Sequence, residues 1–392
     1  MDYSKKSYGR NAEVEAIYHR FSADKDLNMA GPRRLGKTFV LDRLVESAAP
    51  RGWVAVKVEV GGCNEPRSFF REMCGRIGGV RSGGEQVIAW LRQRLGQIAD
   101  PRTEAAGDWY QPLISLDHES YFERLVELLN ADKTRRWALL IDELPIFLKA
   151  LHDQGPSGVD AARNFMNLSS RLRARYPRVR WMITGSIGIE PLARAGNYLG
   201  VLAKFEPFDL QPLNDAEARE FVQDIAQAGR LLHRKRISDP EAEALVRAVG
   251  WRAAYYLEAL AMKLDGEPSD DVGKAEQAIE QAMQKLLAPA EAATFGVWEE
   301  HLRKHYRDSD QRVAFAVLAA LAESAAGLSL DSLLPAIGIN TLTRAELRTV
   351  LGRLAVDGFI SMADWDGDNP TVAFLNPLLR RWWHRHSPQV SS

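Results

Sequence analysis

Eight consecutive residues, Gly31-Pro32-Arg33-Arg34-Leu35-Gly36-Lys37-Thr38, fit the pattern G-x-x-x-x-G-K-[ST]. That spacing lets a glycine-bearing loop wrap its backbone N–H groups around a phosphate, with a lysine for charge and a hydroxyl for a hard cation. The flanks agree with the motif. Residues 26–30 read as a short strand, and 38–45 as a helix with Val40, Leu41, Leu44 and Val45 on one side. Strand, loop and helix N-terminus together favour an anion. Gly31, Pro32, Arg33, Arg34, Leu35, Gly36, Lys37, Thr38 and Phe39 are therefore the candidate nucleotide-binding residues. The competing reading is a glycine turn beside an exposed lysine.

A second group with chemistry is Trp137-Ala138-Leu139-Leu140-Ile141-Asp142-Glu143. Apolar residues ending in two carboxylates describe a buried parallel strand that delivers acids at its C-terminal edge, where open α/β sheets bind ligands. Asp142 is expected to hold Mg²⁺, through water, while Thr38 ligates the ion. Glu143 is placed to orient and deprotonate an attacking water, with Lys37 as its catalytic partner on the phosphates. An acidic turn at a strand end is the plainer alternative. A third strand, 178–184, ends in Thr184 and turns through Gly185-Ser186-Ile187-Gly188. Either Thr184 or Ser186 is positioned to read the phosphate state; capping by Ser186 competes with that reading.

The elements that must carry these groups follow from periodicity. Arg10 stands in a Gly-Arg turn before a helical pattern at Val14, Ile17, Tyr18 and Phe21; such a segment packs beside the adenine in many P-loop ATPases, and a plain surface helix fits the pattern equally well. Strands are expected at 26–30, 53–60, 137–143, 178–184 and 204–210; with the acid-ending strand third in sequence and the hydroxyl-ending strand fourth, as in the P-loop ATPases these motifs resemble, the expected spatial order is 5-1-4-3-2. Helices are expected at 69–77, 85–98, 119–130 and 160–176, and 100–117 reads as a loop. Beyond residue 212 the pattern is helical: 214–228, capped by Asn214 with Glu217 at N3, then 240–249, a helix opening at 250–258, and 275–286. Arg252 could reach a γ-phosphate or lie on the surface.

The C-terminal part reads as a winged helix-turn-helix, with helices at 312–322, 330–337 and 343–356 and strands at 359–362 and 372–375. Its third helix carries Arg344, Arg348 and Arg353 against Glu346 and Asp357, and the turn between the strands is acidic. Protein docking is therefore favoured over duplex DNA at this module. Trp382 and Trp383 follow Leu378-Leu379 and read as core. The expected organisation is an α/β P-loop NTPase core at 1–212, a helical lid at 213–287 and a winged helix at 288–392.

Bulk properties narrow the class. The chain has 392 residues, 46% hydrophobic and 26% charged, with a net charge of -1. Two or three domains are expected, and any nucleic-acid contact would need a local basic patch. The two cysteines, Cys63 and Cys74, match no metal-ligand spacing and read as free thiols. No apolar segment follows the first residues, and 313–322 is too short to span a bilayer, so a cytoplasmic protein without membrane contact is expected.

The succession of Gly-Pro-Arg-Arg-Leu-Gly-Lys-Thr, Leu-Leu-Ile-Asp-Glu, Ile-Thr-Gly-Ser-Ile, a helical region and a closing Phe374-Leu375-Asn376-Pro377-Leu378-Leu379-Arg380-Arg381-Trp382 resembles the archaeal-type AAA ATPases of the STAND branch. These are related to origin-recognition initiator ATPases. The resemblance covers nearly the whole chain. It implies ATP and Mg²⁺ as cofactors, Lys37 on the β/γ-phosphates, Thr38 and Asp142 at the metal, Glu143 as base and Thr184 or Ser186 as sensor. It also implies an ATP-driven switch, in some members tied to mobile elements or antiviral defence. Two departures stand out. The lid lacks the usual proline after Gly250-Trp251, and no arginine finger is assignable beyond the positional candidates Arg175 and Arg194.

Three activities compete. A slow ATP-hydrolysing switch would exchange ATP and ADP, self-associate, or engage a partner protein through the winged helix. A DNA-binding loader or initiator would show salt-dependent DNA affinity. A P-loop kinase would release a phosphorylated product; the Asp142-Glu143 pair argues against it.

Overall fold

The computed structural model describes residues 10–78, 118–231, 234–306 and 308–386. The chain divides into two compact units: one of Arg10–Gly31 with Lys37–Leu210, the other of Pro32–Gly36 with Gln211–Ser392.

The first unit is built on a parallel sheet, five-stranded among the described residues: β1 (Leu27–Ala30), β2 (Trp53–Glu59), β3 (Arg136–Asp142), β4 (Val179–Gly185) and β5 (Glu206–Pro207). The order is β2-β3-β4-β1-β5, the expected 5-1-4-3-2 read from the opposite edge. Every residue of β4 is buried, and so are the six from Trp137 to Asp142 in β3. Such unbroken apolar runs suit strands covered on both faces. Register fixes the carboxyl edge, since Ile141 lies opposite Ile183 and Ala30 opposite Gly185. The covering helices are α1 (Asn11–Ser22), α2 (Lys37–Ser47), α3 (Pro66–Gly78), α4 (His118–Ala131), α5 (Leu144–His152), α6 (Pro156–Arg175), α7 (Glu190–Ala195) and α8 (Leu199–Leu202). Phe69, Phe70, Phe122, Phe147, Phe165 and Trp181 pack ring against ring in this core.

The structure differs from expectation at the edge strand and directly after β3. The strand expected over 204–210 forms ladder bonds only at Glu206–Pro207, plus Phe208 N–H to Asn28 O at 2.9 Å. Proline has no N–H to donate, which restricts it to a short edge strand. Helix α5 was not expected at all. It follows β3 after one left-handed residue, Glu143 at φ 59°, too abruptly for periodicity to separate the two elements. The readings at 85–98 and 100–117 lie outside the described residues.

The second unit begins with α9 (Asp215–Gln227), α10 (Asp239–Val249), α11 (Ala254–Ala261) and α12 (Val272–Leu286). Reciprocal capping boxes start α9 (Asn214 with Glu217) and α10 (Ser238 with Glu241). Each cap contributes about 1 kcal/mol. Glu241 does more than cap, because its carboxylate meets Arg234 at 2.7 Å with both side chains out of solvent. Then come α13 (Ala292–His305), α14 (Asp308–Ala322), α15 (Leu330–Ala336), α16 (Arg344–Val356) and α17 (Pro377–His386), with β6 (Leu328–Ser329), β7 (Ile360–Ala363) and β8 (Thr371–Phe374). The strands pair antiparallel in the order β6-β8-β7. Helices α14, α15 and α16 followed by the β7–β8 hairpin are the element order of a winged helix. Thr343 and Glu346 cap α16 as expected. Trp382 and Trp383 are buried with Leu378 and Leu379, in agreement with their reading as core. Helix α13 was not expected; its buried face mixes Phe295, Trp298 and Leu302 with His301 and His305, which blurs the apolar stripe.

Candidate nucleotide-binding site

Helix α2 begins at Lys37, immediately after Gly36, whose φ of +101° is open to glycine and strained for other residues. The Lys37 ammonium is buried and donates to the Gly31 carbonyl at 2.5 Å, closing the ends of the loop on each other. One residue on, the Thr38 hydroxyl donates to Asp142 Oδ2 at 3.0 Å. The first turn of α2 and the last residue of β3 therefore meet through the two oxygen ligands expected to serve a divalent ion. A hydroxyl and a carboxylate, presented together at a helix N-terminus, are the hard oxygen donors that Mg²⁺ takes, so the residues present fit the ion.

Asp142 accepts a second bond on its other oxygen from the Thr184 hydroxyl, at the end of β4. Both residues are buried, and the bond fixes the plane of the carboxylate. Thr184, expected to read phosphate, is thus oriented on Asp142. Glu143 leaves β3 in the left-handed region, which turns its side chain toward the loop after β4. There Glu143 Oε2 accepts from both the backbone N–H and the hydroxyl of Ser186, each at 3.0 Å. The approach of α5 to that loop requires Gly185: a Cβ on it would lie 2.5 Å from Pro145 Cδ. Four of the expected site residues, Asp142, Glu143, Thr184 and Ser186, are thereby joined in two hydrogen-bonded pairs at one edge of the sheet. Thr38 is bonded to the first pair.

Arg10 sits at the N-terminus of α1, buried, with Nη1 2.6 Å from Glu13. Arg175 pairs with Glu123 at 2.5 Å, and Arg194 stands exposed in the last turn of α7. Cys63 and Cys74 are buried thiols outside any disulfide, and burial pushes the Cys63 thiol pKa up, as inert core thiols require.

The tip of the glycine-rich motif, Pro32–Gly36, belongs to the second unit, and its arginines are bonded there. Arg33 Nε donates to His301 Nδ1 at 3.0 Å. On the far side of the ring, His301 Nε2 lies 3.1 Å from Asp357 Oδ2, which also accepts from the Tyr306 hydroxyl at 2.9 Å. An arginine can only donate, so Nδ1 must be the acceptor and Nε2 carries the proton given to Asp357. Arg34 adopts φ 66°, unusual for a residue with a side chain. Its guanidinium donates to the Thr294 carbonyl and stacks 3.8 Å over the Tyr255 ring. Pro32 lies so close to Gly358 that a Cβ there would fall 2.4 Å from Pro32 Cβ. Arg252, a candidate γ-phosphate contact, instead binds the Leu213 carbonyl at 2.8 Å and Asp215 at 3.2 Å, at the start of α9. Neither His301 nor Asp357 stands in a motif: each alone reads as a polar residue of a helix or its end.

No family model matches the chain, and no curated protein does. Solved structures do. The chain is similar to the Walker-type ATPase PABY2304 of Pyrococcus abyssi, with a TM-score of 0.65 at 14% identity over 96% of this chain and 95% of that one. It is also similar to the Aeropyrum pernix ORC2 protein, solved as ADPNP–ADP complexes, with a TM-score of 0.53 at 14% identity over 95% and 91% of the two chains. The fold is that of a P-loop NTPase. Within this P-loop NTPase fold the glycine-rich loop follows β1, and the acids end β3, on strands separated only by β4. Among the described residues no helix is long and apolar enough to cross a membrane.

Proposed function

We propose that the protein is a Mg²⁺-dependent ATP-binding switch that hydrolyses ATP slowly and passes its nucleotide state to the C-terminal winged helix. The observation that carries this reading is the Thr38–Asp142–Thr184 chain beside the glycine-rich loop, with Glu143 next to it on the Ser186 turn. Lys37 and the backbone N–H groups of the loop bind the β- and γ-phosphates. Thr38 and Asp142 hold the ion, which when bound neutralises developing charge on the phosphates. Thr184 keeps the Asp142 carboxylate in register. Glu143 takes a proton from the attacking water, and Ser186 holds its carboxylate between turnovers. Turnover is slow in this reading because a switch ATPase without an arginine finger supplied in trans lacks that charge, which typically contributes about 10³–10⁵ in rate. The organisation that goes with this reading is a core to residue 212, a lid over 213–287 and a winged helix from 288. The STAND branch, self-association and a role in defence rest on the motif resemblance alone.

A second reading, an initiator-type ATPase that contacts duplex DNA, rests on the motif resemblance to a family related to origin-recognition initiators. Two arginines of α16 speak against direct reading of DNA by that helix, because Arg344 is bound to Asp331 and to the Asp368 carbonyl, and Arg348 to the Gly367 carbonyl at 2.6 Å. One assay separates the readings: Mg²⁺-dependent ATP hydrolysis by wild type and Lys37→Ala, with and without duplex DNA. Turnover lost in Lys37→Ala and indifferent to DNA supports the switch; stimulation by DNA that weakens with salt supports the initiator. A phosphorylated product besides ADP would move the assignment to a kinase.

A further inference from the structure

The Arg33 guanidinium has two claimants. Its place in the phosphate-binding loop offers it to the nucleotide, yet its Nε–H is given to a neutral imidazole 3.0 Å away. That imidazole, His301, is 2% exposed, and its other nitrogen is committed to Asp357, the C-terminal cap of α16. Tyr306 adds a second donor to the same Asp357 oxygen, and Arg353 lies 4.0 Å over the Tyr306 ring. Pro32, the neighbour of Arg33, touches Gly358, the neighbour of Asp357. The chain Arg33–His301–Asp357 thus runs from the loop tip through α13 to the end of the third winged-helix helix.

We propose that His301 is a positioning residue for the phosphate-binding loop: it holds Arg33 on the winged-helix side, and a nucleotide bearing a γ-phosphate competes for that arginine while a diphosphate does not. This rests on the reading of the loop as the nucleotide site. The physical basis is an unequal contest. A neutral imidazole nitrogen offers one lone pair, whereas a terminal phosphate offers charged oxygens and a charge-assisted bond about twice as strong. Arg34 is not part of the contest, because stacking on Tyr255 and the bond to the Thr294 carbonyl hold it from two sides. By linkage, whatever ATP does to the Arg33–His301 bond, that bond does in reverse to ATP affinity. Releasing Arg33 from His301 therefore tightens ATP binding selectively, and transfer of Arg33 frees the His301–Asp357 pair at the end of α16.

The test measures binding of a non-hydrolysable ATP analogue and of ADP, each with Mg²⁺, to the full chain by calorimetry. His301→Phe keeps the ring volume and removes the acceptor; it is expected to tighten analogue binding by about tenfold, within the roughly 5- to 150-fold range of coupled sites, and to leave ADP affinity within about twofold. In an Arg33→Ala background the same substitution is expected to have no effect. An unchanged ratio of analogue to ADP affinity in His301→Phe, or an equal effect with and without Arg33, overturns the proposal. Should His301→Phe fail to fold, ¹⁵N resonances of the His301 ring in wild type decide: the Nδ1 signal moves with the analogue and stays with ADP, and a signal that responds to neither saturating nucleotide sinks the idea. Lys37→Ala keeps the two levels apart. If it binds nucleotide as wild type does, the loop is not the site and both readings fall; if it loses nucleotide while the His301 signal never responds in wild type, only the arginine contest falls.

Discussion

Replacing Glu143 by glutamine separates the base from the structure around it. The wild-type carboxylate uses one oxygen, Oε2, for both bonds to Ser186. A glutamine side chain of the same shape has one carbonyl oxygen, which can accept both. What is lost is the charge assistance, about 1 kcal/mol per bond, or about 2 kcal/mol in all for this half-buried group. For a unit of this size that corresponds to a fall in Tm of about 4–8 °C, well short of unfolding. The proton acceptor, in contrast, is removed outright, and general-base catalysis contributes about 10²–10⁴ in rate, or roughly 3–5 kcal/mol of barrier. Glu143→Gln should therefore bind Mg²⁺·ATP with wild-type affinity by calorimetry and lose at least a hundredfold in single-turnover hydrolysis. Turnover within about tenfold of wild type, in a variant that binds ATP normally, would refute the assignment of Glu143 as base. Glu143→Ala makes a useful contrast, since it also deprives Ser186 of its acceptor.

Thr184→Val removes the hydroxyl that Asp142 accepts in a buried setting and should cost about 1–3 kcal/mol, read as a lowered Tm, with Thr184→Ser near wild type. A valine variant as stable as the serine one would show that the bond contributes nothing. Glu241→Ala strands Arg234, whose pair is fully buried, and should destabilise the second unit by about 3–5 kcal/mol in urea. The pH dependence of the same unit follows from His301. Burial, the largest cause, lowers its pKa below the ordinary 6.5, against the opposing pull of Asp357 and with smaller lowering by Arg33 and Arg353. Below pH 6.5 the unfolded chain takes up a proton that the folded ring resists. Stability should therefore decline as the pH drops from 6.5, by up to about 1.4 kcal/mol per pH unit, until the folded ring itself is protonated. The decline should be reduced in His301→Phe when unfolding is followed across that range.

The sheet was legible because its determinants are local. Apolar runs such as Trp137–Ile141 suit a buried parallel strand, and the strand order was expected from the acid-ending strand standing third in sequence and the hydroxyl-ending strand fourth. The hydroxyls of Thr184 and Ser186 were legible as residue types, but their partners were not. Nothing in Ile183-Thr184-Gly185-Ser186 says that one hydroxyl meets Asp142 and the other Glu143. That division goes with Glu143 turning through a left-handed conformation, which glutamate does not prefer, where Pro145 approaches Gly185 too closely for a Cβ. Helix α13 is hard to read for a related reason: His301 and His305 look polar in sequence yet both are buried, and the partners of His301 are Arg33 and Asp357, far away in the chain.

The paired arginines of the loop carry the same lesson further. In sequence Arg33 and Arg34 are equivalent, two cations beside a phosphate site. In the fold they differ in every physical respect. Arg34 accepts a left-handed backbone, which costs about 1–2 kcal/mol, and recovers it through a stacked ring and a carbonyl. Arg33 keeps an ordinary backbone and ends on one uncharged acceptor. A strained residue held by several contacts is a fixture, whereas a charged side chain held by one neutral bond is the element that a stronger anion can recruit. The loop therefore contains its anchor and its moving part side by side, and the acceptor on which the moving part rests belongs to the chain of contacts that ends at the cap of α16.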